Sequence, residues 1–263
     1  MTEINKTLYI PLYGKALCSR KGIILRDNKA EEIWEKAGFT LKGKSRSKWL
    51  AYYMGMRAWV FDSWVREKCG ADPDAIVIHI GCGLDSRAER VGAENRWYDV
   101  DFPEVIAERR KYFDEKGNYT MLSADVRGEE WLSLLPRGKN AIVVMEGVTM
   151  YFAPEELRKL LCRLSEHCGN VSLMLDAYSV FAAKASKYKN PVNDVGVTKV
   201  YGFDSGEEIC KDTGLCFIGK REITPKEKIA ELQGFEKRVF GALYGGAVAK
   251  KHTEFTNTKK CAD

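Results

Sequence analysis

A regular alternation of apolar, strand-like runs with helical patterns begins at Asp74 and constrains the fold more than any other feature of the chain. The strand-like runs cover residues 75–80, 96–100, 119–122, 141–145 and 171–176. Such alternation is typical of a parallel sheet whose right-handed crossover helices cover both faces. The sequence therefore predicts a doubly wound α/β fold.

The pattern after this alternation predicts how the sheet is completed. Residues 206–214 resemble a short helix, whereas residues 215–222 and 239–250 resemble two more strands that follow each other closely enough to pair antiparallel. Among the intervening helices, one begins at Pro103 and ends at Gly117, and another begins at Pro154 and ends before Gly169. We therefore expect a mostly parallel, seven-stranded sheet.

The chain length favours one elaborated domain, because 263 residues with 45% hydrophobic side chains can bury one substantial core. Residues 47–70 carry apolar and aromatic side chains at helical spacing, with Ser47 in position to cap the helix. We expect an N-terminal helical cap over residues 1–70, a core over residues 71–250 and a flexible tail over residues 251–263. A helix followed by an irregular loop is expected over residues 179–198.

Charge is distributed unevenly along the chain. Residues 1–70 hold 14 Lys and Arg against 7 Asp and Glu, whereas the whole chain has a net charge of only +5. The excess at the front is either a solvated basic surface or the binding region of an anionic ligand. It is too small to indicate a nucleic-acid partner.

The sequence contains no run of eighteen apolar residues, and its first twelve residues lack the layout of a secretory signal. Its eight cysteines show no C-x-x-C spacing, so we expect reduced thiols and no metal site. These observations predict a cytoplasmic protein without a membrane partner. The aromatic content gives no reason to expect more than a monomer or homodimer.

A glycine turn follows the first strand in the run IHIGCGLDSR, which contains Gly81 and Gly83. Glycines at this point let the backbone approach a ligand at the carboxyl edge of the sheet. A dinucleotide fingerprint requires a third glycine where this chain has Ser86, so pyrophosphate binding loses support. A turn with a purely structural role remains the alternative.

Acidic residues follow the next three strands. Asp101 lies 18 residues beyond Gly83, near the interval at which a carboxylate binds ribose hydroxyls in this architecture, although it could instead cap the helix that starts at Pro103. Asp99 lies deeper in the same strand, and Asp125 and Glu146 follow the third and fourth strands. Carboxylates in these places favour a neutral adenosine over phosphates.

Four strings in this order resemble the leucine carboxyl methyltransferase and polyketide O-methyltransferase family, a branch of the class I S-adenosylmethionine (SAM)-dependent enzymes: GCGLDSR, RWYDVDFPEVI, SADVRGEEW and MEGVTMYFAPEEL. The resemblance runs from about Thr7 to Lys250. It implies a Rossmann-like fold and SAM as the cofactor. The sequence departs from the family at His79, where a small polar residue is common, and at Cys82, where Ala is common.

The resemblance also implies roles for individual residues. The glycine turn would pass under SAM, Asp101 would hold its ribose, and Glu146 would lie beside its methionine portion. In the N-terminal segment, Lys15 and Arg57 would hold the methionine carboxylate. Asp125 and Val126 would contact adenine, and the turn would consist of Gly81, Cys82 and Gly83.

The function that follows is methyl transfer from SAM to a carboxylate or hydroxyl oxygen of a small-molecule acceptor, polyketide-like or not, or of a peptide. A carboxylate is ionised at neutral pH and needs no general base, whereas an alcohol usually needs one. None of the three histidines is placed as a base, so Glu146 and Tyr151 are the candidates for proton handling. An NAD-type oxidoreductase and a non-catalytic SAM-binding protein are the alternatives.

Overall fold

A computed structural model describes residues 8–41, 43–189, 200–244 and 253–260. Its strands are β1 (Ile76–Ile80), β2 (Trp97–Asp101), β3 (Tyr119–Ser123), β4 (Ala141–Met145), β5 (Val171–Tyr178), β6 (Leu215–Arg221) and β7 (Thr253–Lys260). Its α-helices are α1 (Tyr9–Arg20), α2 (Asn28–Ala37), α3 (Lys48–Ala71), α4 (Arg87–Val91), α5 (Pro103–Arg109), α6 (Pro154–His167), α7 (Val180–Lys189), α8 (Gly206–Cys210), α9 (Lys226–Ala230) and α10 (Gly234–Tyr244). Short 3-10 turns cover Gly43–Arg46, Glu130–Leu134 and Thr149–Tyr151.

The strands form one seven-stranded sheet in the order β3-β2-β1-β4-β5-β7-β6. The five strands β1 to β5 pair in parallel, and β7 pairs antiparallel with both β5 and β6. The predicted doubly wound, mostly parallel sheet is therefore confirmed. Each of the five parallel strands lies within two residues of its predicted ends.

Both faces of the central strands are buried, which is why these strands are continuous apolar runs. Ile78 and Val143 pack with the leucines of α6 on one face. Val77 and Val144 pack with Trp64 of α3 on the other. The alternation of neighbouring residues between the two faces follows from the two-residue period of a strand, and it fixes the register of the sheet.

The helices ahead of the sheet pack against one another and against its carboxyl edge. Close contact of α1 with α3 depends on Gly14, because a Cβ at that position would lie 2.7 Å from the Cβ of Met54. Asp27 caps α2 by accepting a hydrogen bond from the backbone amide of Ala30 at 2.8 Å. Ser47 occupies the N-cap position of α3, but its hydroxyl makes no cap hydrogen bond. The division into cap, core and tail stays a prediction.

One prediction about the end of the chain is wrong. Residues 239–244 belong to helix α10 instead of a strand, and residues 245–250 lie outside the described residues. An apolar run of this kind is ambiguous by period alone, and here Phe240 and Tyr244 lie on one helical face, where they contact Tyr52 and Tyr53 of α3. The seventh strand is Thr253–Lys260, within the segment expected to be a flexible tail. Its threonines favour a strand, although the lysines and the asparagine hide that pattern.

The predicted helix after residue 179 is confirmed as α7, while residues 190–199 of the expected loop lie outside the described residues. Among the cysteines that the structure describes, six are free thiols as expected, whereas Cys216 on β6 is disulfide-bonded, which corrects the expectation that all thiols are reduced. In the part of the chain that the structure describes, no helix is both long and apolar enough to cross a membrane.

Candidate functional site

The carboxyl ends of the parallel strands bring the predicted site residues to one edge of the sheet. Ile80 at the end of β1 pairs with Val100, and Asp101 at the end of β2 pairs with Ser123. β4 lies on the other side of β1 and ends immediately before Glu146. The glycine turn therefore lies between the acid of β2 and the acid of β4, in the position where ligands bind in open α/β sheets.

The turn after β1 requires glycine at Gly81. This residue has a φ of +68°, and a Cβ there would lie 2.2 Å from Cγ1 of Val148, in the loop after β4. Its backbone amide donates to the carbonyl of Val100 at 2.8 Å, which holds the turn against β2. Gly83 also has a positive φ, of +52°, but a Cβ there would meet only Leu8, at 3.5 Å.

Asp101 connects the end of β2 to the glycine turn. One carboxylate oxygen accepts from the backbone amide of Gly83 at 2.8 Å, and the other accepts from the amide of Phe102 at 2.8 Å. The alternative role of helix cap is wrong, because the N-cap of α5 is Phe102. Burial raises the pKa of the Asp101 carboxyl above its usual value, while the two amides act in the opposite direction. Each oxygen keeps a lone pair for a ribose hydroxyl.

The pair predicted to contact adenine follows β3. Val126 is buried in the main core, whereas the side chain of Asp125 is 43% exposed. The carboxylate of Asp125 receives hydrogen bonds from the Arg127 guanidinium, which lowers its pKa. Cys82, between the two glycines, is buried, and burial holds its thiol pKa well above the usual value. Cys82 therefore fills space below the turn as an uncharged thiol.

Glu146, at the end of β4, is buried between two arginines. Its Oε1 accepts from Arg57 Nε at 2.9 Å, and its Oε2 accepts from Arg87 Nη2. Despite the cost of burial, the two guanidinium groups lower the pKa of Glu146 to about 2. The carboxylate is therefore ionised throughout the physiological range, and both of its oxygens are engaged.

Arg57 of α3 reaches the ends of two strands. Besides Glu146, it donates from Nη1 to Asp176 of β5 at 3.0 Å, and Asp176 accepts from the backbone amide of Gly147 at 2.5 Å. Gly147 permits this approach, because a Cβ there would lie 3.0 Å from the guanidinium. This arrangement fixes the guanidinium beside the loop that follows β4.

Lys15 of α1 is also buried, and its ammonium lies 3.1 Å from the carboxylate of Asp85 just after the glycine turn. A solvated basic surface is therefore the wrong interpretation for Lys15 and Arg57. The family resemblance implies that both cations bind the methionine carboxylate. In the structure, both lie at the carboxyl edge of the sheet.

A larger ion-pair cluster surrounds these two cations, and pattern analysis of the sequence missed most of it. Asp85 lies 3.1 Å from Arg87 and 2.7 Å from Arg90, and both arginines also bind Asp62 of α3. Arg90 further donates to Asp27, the cap residue of α2, at 2.6 Å. The residues that sequence analysis gave no role are Asp27, Asp62, Asp85, Arg87, Arg90 and Asp176. Arg87 ends the string GCGLDSR, and Asp176 ends the fifth strand-like run of the sequence, so both had a positional signal.

Asp99 belongs to a separate cluster under the turn and is unavailable to a ribose. Its carboxylate accepts hydrogen bonds from four neighbours, which are His79, Trp97, Arg109 and Tyr119. Arg109 and these hydrogen bonds lower the pKa of Asp99 to about 2 against the effect of burial. Arg109 also donates to the carbonyl of Gly83 at 3.0 Å, so this cluster supports the turn from below.

Tyr151, the second candidate for proton handling, lies half-buried at the end of the 3-10 turn after β4. The segment is held by two backbone hydrogen bonds, from Tyr151 to Val148 at 2.9 Å and from Tyr201 to Met150 at 2.8 Å. His79 is in the Asp99 cluster, and His167 bonds the carbonyl of Leu135. His252 lies outside the described residues.

The hydrogen-bonding and charged groups at this edge of the sheet match the chemical groups of SAM. A glycine turn without a phosphate-binding third glycine lies beside a carboxylate suited to ribose, while buried acids and cations together suit an amino acid group. The fold and the site therefore define a class I SAM-dependent methyltransferase.

Comparison with known proteins identifies the family. The leucine carboxyl methyltransferase family model matches residues 3–165, and the chain belongs to this family. It is 30% identical over 243 residues to the tetracenomycin polyketide synthesis O-methyltransferase TcmP of Streptomyces glaucescens, covering 91% of this chain and 90% of TcmP. It is also 28% identical over 185 residues to the SAM-dependent methyltransferase dpfgK of Gibberella zeae, covering 64% and 62% of the two chains.

Solved structures support the fold. A Thermobifida fusca protein described as a methyltransferase gives a TM-score of 0.56 at 14% identity, covering 95% of this chain and 94% of its own. Magnesium protoporphyrin IX methyltransferase from Synechocystis, solved with bound S-adenosylhomocysteine, gives a TM-score of 0.51 at 13% identity, with coverage of 89% and 93%. The family match and the two relatives show that the chain is a SAM-dependent methyltransferase, and the alternatives of an NAD-type oxidoreductase and a non-catalytic SAM-binding protein are not supported.

Proposed function

We propose that this enzyme methylates an oxygen of a small-molecule acceptor, with a carboxylate favoured over a hydroxyl. The observation that carries the preference is the state of Glu146, whose two oxygens are held by Arg57 and Arg87 and whose pKa is lowered to about 2. A carboxylate with so low a pKa is a poor acceptor of protons at neutral pH. An acceptor that is already ionised needs no such base.

The residues at the sheet edge have separate proposed roles in holding SAM. Gly81 and Gly83 keep the turn clear of side chains, and Asp101 presents carboxylate lone pairs to the ribose. Asp125 and Val126, which follow β3, are proposed to contact the adenine. Cys82 completes the turn as a buried, neutral side chain.

The methionine part would lie among the buried charges. Lys15 and Arg57 are proposed to hold its carboxylate, and Glu146 its ammonium group. When bound, SAM would supply a methyl group activated by its sulfonium sulfur. An oxygen–carbon bond to the acceptor would replace the carbon–sulfur bond, and S-adenosylhomocysteine would leave. The protein contributes alignment of the acceptor with that methyl group and exclusion of water, which together account for large rate effects without proton transfer.

Methylation of a hydroxyl is the second candidate function. The description of TcmP as a polyketide synthesis O-methyltransferase supports an oxygen acceptor, and a polyketide can offer a phenol as well as a carboxyl group. A phenol has a pKa near 10 and needs a base. Tyr151, in the turn after β4, is the candidate for that proton transfer.

The two candidates are separated by the chemistry of the product. The enzyme is incubated with SAM labelled in its methyl group and with a metabolite extract, and labelled products are identified by mass. A carboxyl methyl ester releases labelled methanol in mild alkali, whereas an aryl methyl ether keeps its label. Alkali-stable label would overturn the preference for a carboxylate, and no transfer from a broad panel of extracts would oppose the proposed reaction.

Variants of the two proton-handling candidates, Glu146 and Tyr151, test the proposal that the reaction needs no general base. With a carboxylate acceptor, Tyr151→Phe should keep kcat within about threefold, because no proton leaves the acceptor. Glu146→Gln should raise the Kd for SAM, since it removes a charge beside the methionine part. Loss of turnover in Glu146→Gln with unchanged SAM affinity would show that a base is required.

Cytoplasmic location and a monomeric or homodimeric state stay predictions.

A further inference from the structure

Arg87 is the most deeply buried cation beside the proposed methionine region, although the motif assigned it no role. It is the first residue of α4, two positions after Asp85, and none of its surface is exposed. Its guanidinium carbon lies 5.2 Å from the centre of the Phe61 ring. A charge in such a place needs full pairing to be tolerated, so the partners of Arg87 indicate why it is there.

The carboxylates that pair with Arg87 come from three different parts of the chain. Arg87 Nε donates to Asp62 of α3 at 2.8 Å, while Nη2 donates to Glu146 after β4 and lies 3.1 Å from Asp85. The planar guanidinium has several donors in fixed directions, so it can bridge these carboxylates at once. A lysine at this position would keep the charge but would reach only one of them.

The contact with Glu146 decides how that carboxylate is oriented. Arg57 holds Oε1 and Arg87 holds Oε2, so the plane of the carboxylate is set by two guanidinium groups on different helices. Arg57 is itself fixed by Asp176, and Arg87 is fixed by Asp62. The terminal torsion of a glutamate side chain is intrinsically broad. Without Arg87, only Arg57 would restrain this torsion in Glu146.

We propose that Arg87 is a positioning residue for SAM, which holds Glu146 in the orientation that accepts the ammonium group of the methionine part. The inference rests on the proposed role of Glu146 in that region. Each carboxylate oxygen has two lone pairs, of which the arginines use one each, so the oxygens can still accept from an ammonium. Arg87 acts through Glu146 and makes no contact with the reacting atoms.

A double-mutant cycle tests this role by calorimetric titration of SAM into wild type, Arg87→Lys, Glu146→Gln and the double variant. We expect each single change to raise the Kd at least tenfold. The double variant should then lie within threefold of Glu146→Gln, because Arg87 has nothing left to orient. Fold-changes that multiply in the double variant would overturn the inference.

S-adenosylhomocysteine provides a second measurement, because it has the ammonium and carboxylate groups of SAM but no sulfonium charge. Arg87→Lys should weaken both ligands by the same factor, within about twofold. A loss of affinity confined to SAM would mean that Arg87 acts through the electrostatic potential at the sulfonium group. Such a result would contradict a role through Glu146. Wild-type protein that binds neither ligand would instead refute the proposed function, which keeps the two failures distinct.

Arg90→Lys is the matched control, which separates a general loss of stability from a specific loss of SAM binding. Arg90 lies on the same helix and binds Asp62 and Asp85 without touching Glu146. Its Kd for SAM should stay within threefold of wild type even if its Tm falls as much as that of Arg87→Lys. An equal loss of affinity would assign Arg87 a merely structural role. If Arg87→Lys does not fold, Asp62→Asn replaces it in the cycle, with an expected rise in Kd of at least threefold that disappears in the Glu146→Gln background.

Discussion

Asp101 accepts a hydrogen bond from the backbone amide of Gly83 at 2.8 Å, which joins the end of β2 to the turn after β1. The same carboxylate is proposed to bind the ribose, so one side chain both shapes the turn and contacts the ligand. This relationship makes the effects of substitution at Asp101 larger than those of a residue that only touches SAM.

Asp101→Ala should therefore weaken SAM binding strongly. It removes two proposed ribose hydrogen bonds to a charged acceptor, each of which contributes about 1.5–3 kcal/mol. We expect the Kd for SAM, measured by calorimetric titration, to rise by two orders of magnitude or more. Asp114→Asn, at an exposed position paired with Lys116, is the control and should leave the Kd unchanged. Unaltered affinity in Asp101→Ala would place the ribose elsewhere.

Gly81→Ala should lower stability for two separable reasons. The residue has a φ of +68°, and the new Cβ would lie 2.2 Å from Cγ1 of Val148. Gly138 has a similar φ of +73° with no atom within 4 Å of its Cβ position, so Gly138→Ala measures the backbone cost alone. That cost is about 1–2 kcal/mol, and Gly81→Ala should exceed it by about 1–3 kcal/mol.

Urea unfolding of both glycine variants measures this difference. Adding Val148→Ala to Gly81→Ala should recover part of the excess, because it removes the methyl group that the new Cβ meets. Equal free energies of unfolding for the two glycine variants would show that the loop after β4 moves away without cost.

The sequence was sufficient to predict the parts of the site that depend on strand ends. Gly81, Asp101 and Glu146 follow apolar runs, and parallel strands necessarily bring their carboxyl ends to one edge. Lys15 and Arg57 were placed only by resemblance, since nothing in a helical pattern shows which buried position carries a charge. In the structure Lys15 lies beside Asp85 and Arg57 beside Glu146, and their role towards the methionine carboxylate stays a prediction.

Contacts between distant segments explain what the sequence did not predict. Asp62 and Glu146, two of the partners of Arg87, lie 25 and 59 residues away in the sequence, so neither spacing nor periodicity connects them to it. The seventh strand was missed because it pairs with β5, some eighty residues earlier, and its polar residues read as a solvated tail. The helical face of α10 depends on aromatic contacts with α3 that a local pattern does not contain.

Stability should fall steeply in acid because of Glu146 and Asp99. The pKa of each is lowered to about 2 in the folded protein, from ordinary values of 4.5 and 3.8. A lowered pKa contributes stability that is present above the unfolded value and is lost as the pH falls towards the folded value, about 2–3 kcal/mol for each group. Asp101 and Asp176, whose pKa values are raised, act with the opposite sign.

We therefore expect the free energy of unfolding in urea to decrease between about pH 4.5 and pH 2, because Asp85 adds to the effect of Glu146 and Asp99. Despite burial, its cationic neighbours Arg90, Lys15 and Arg87 hold the pKa of Asp85 well below the usual value. The measurement is a series of urea titrations at intervals of half a pH unit from pH 7 downwards. A free energy that stays constant to pH 3 would contradict the ionised state of Glu146, on which the absence of a general base also depends.

Asp99→Asn should destabilise the protein without direct loss of a ligand contact. The charge of Asp99 compensates Arg109, which is fully buried, and removing one partner of a buried ion pair costs about 3–5 kcal/mol. For a chain of this size, that corresponds to a fall in Tm of roughly 10 °C. Asp114→Asn, which breaks an exposed pair, should change the Tm by no more than about 2 °C.

The same variant shows whether the cluster supports the turn. Arg109 donates to the carbonyl of Gly83 at 3.0 Å, and loss of its anion leaves that guanidinium less firmly held. At a temperature where Asp99→Asn is fully folded, its Kd for SAM should rise only several-fold, far less than in Asp101→Ala. If Asp99→Asn abolished SAM binding while the protein stayed folded, the carboxylate that contacts the ribose would have to be Asp99, and the assignment of Asp101 would be wrong.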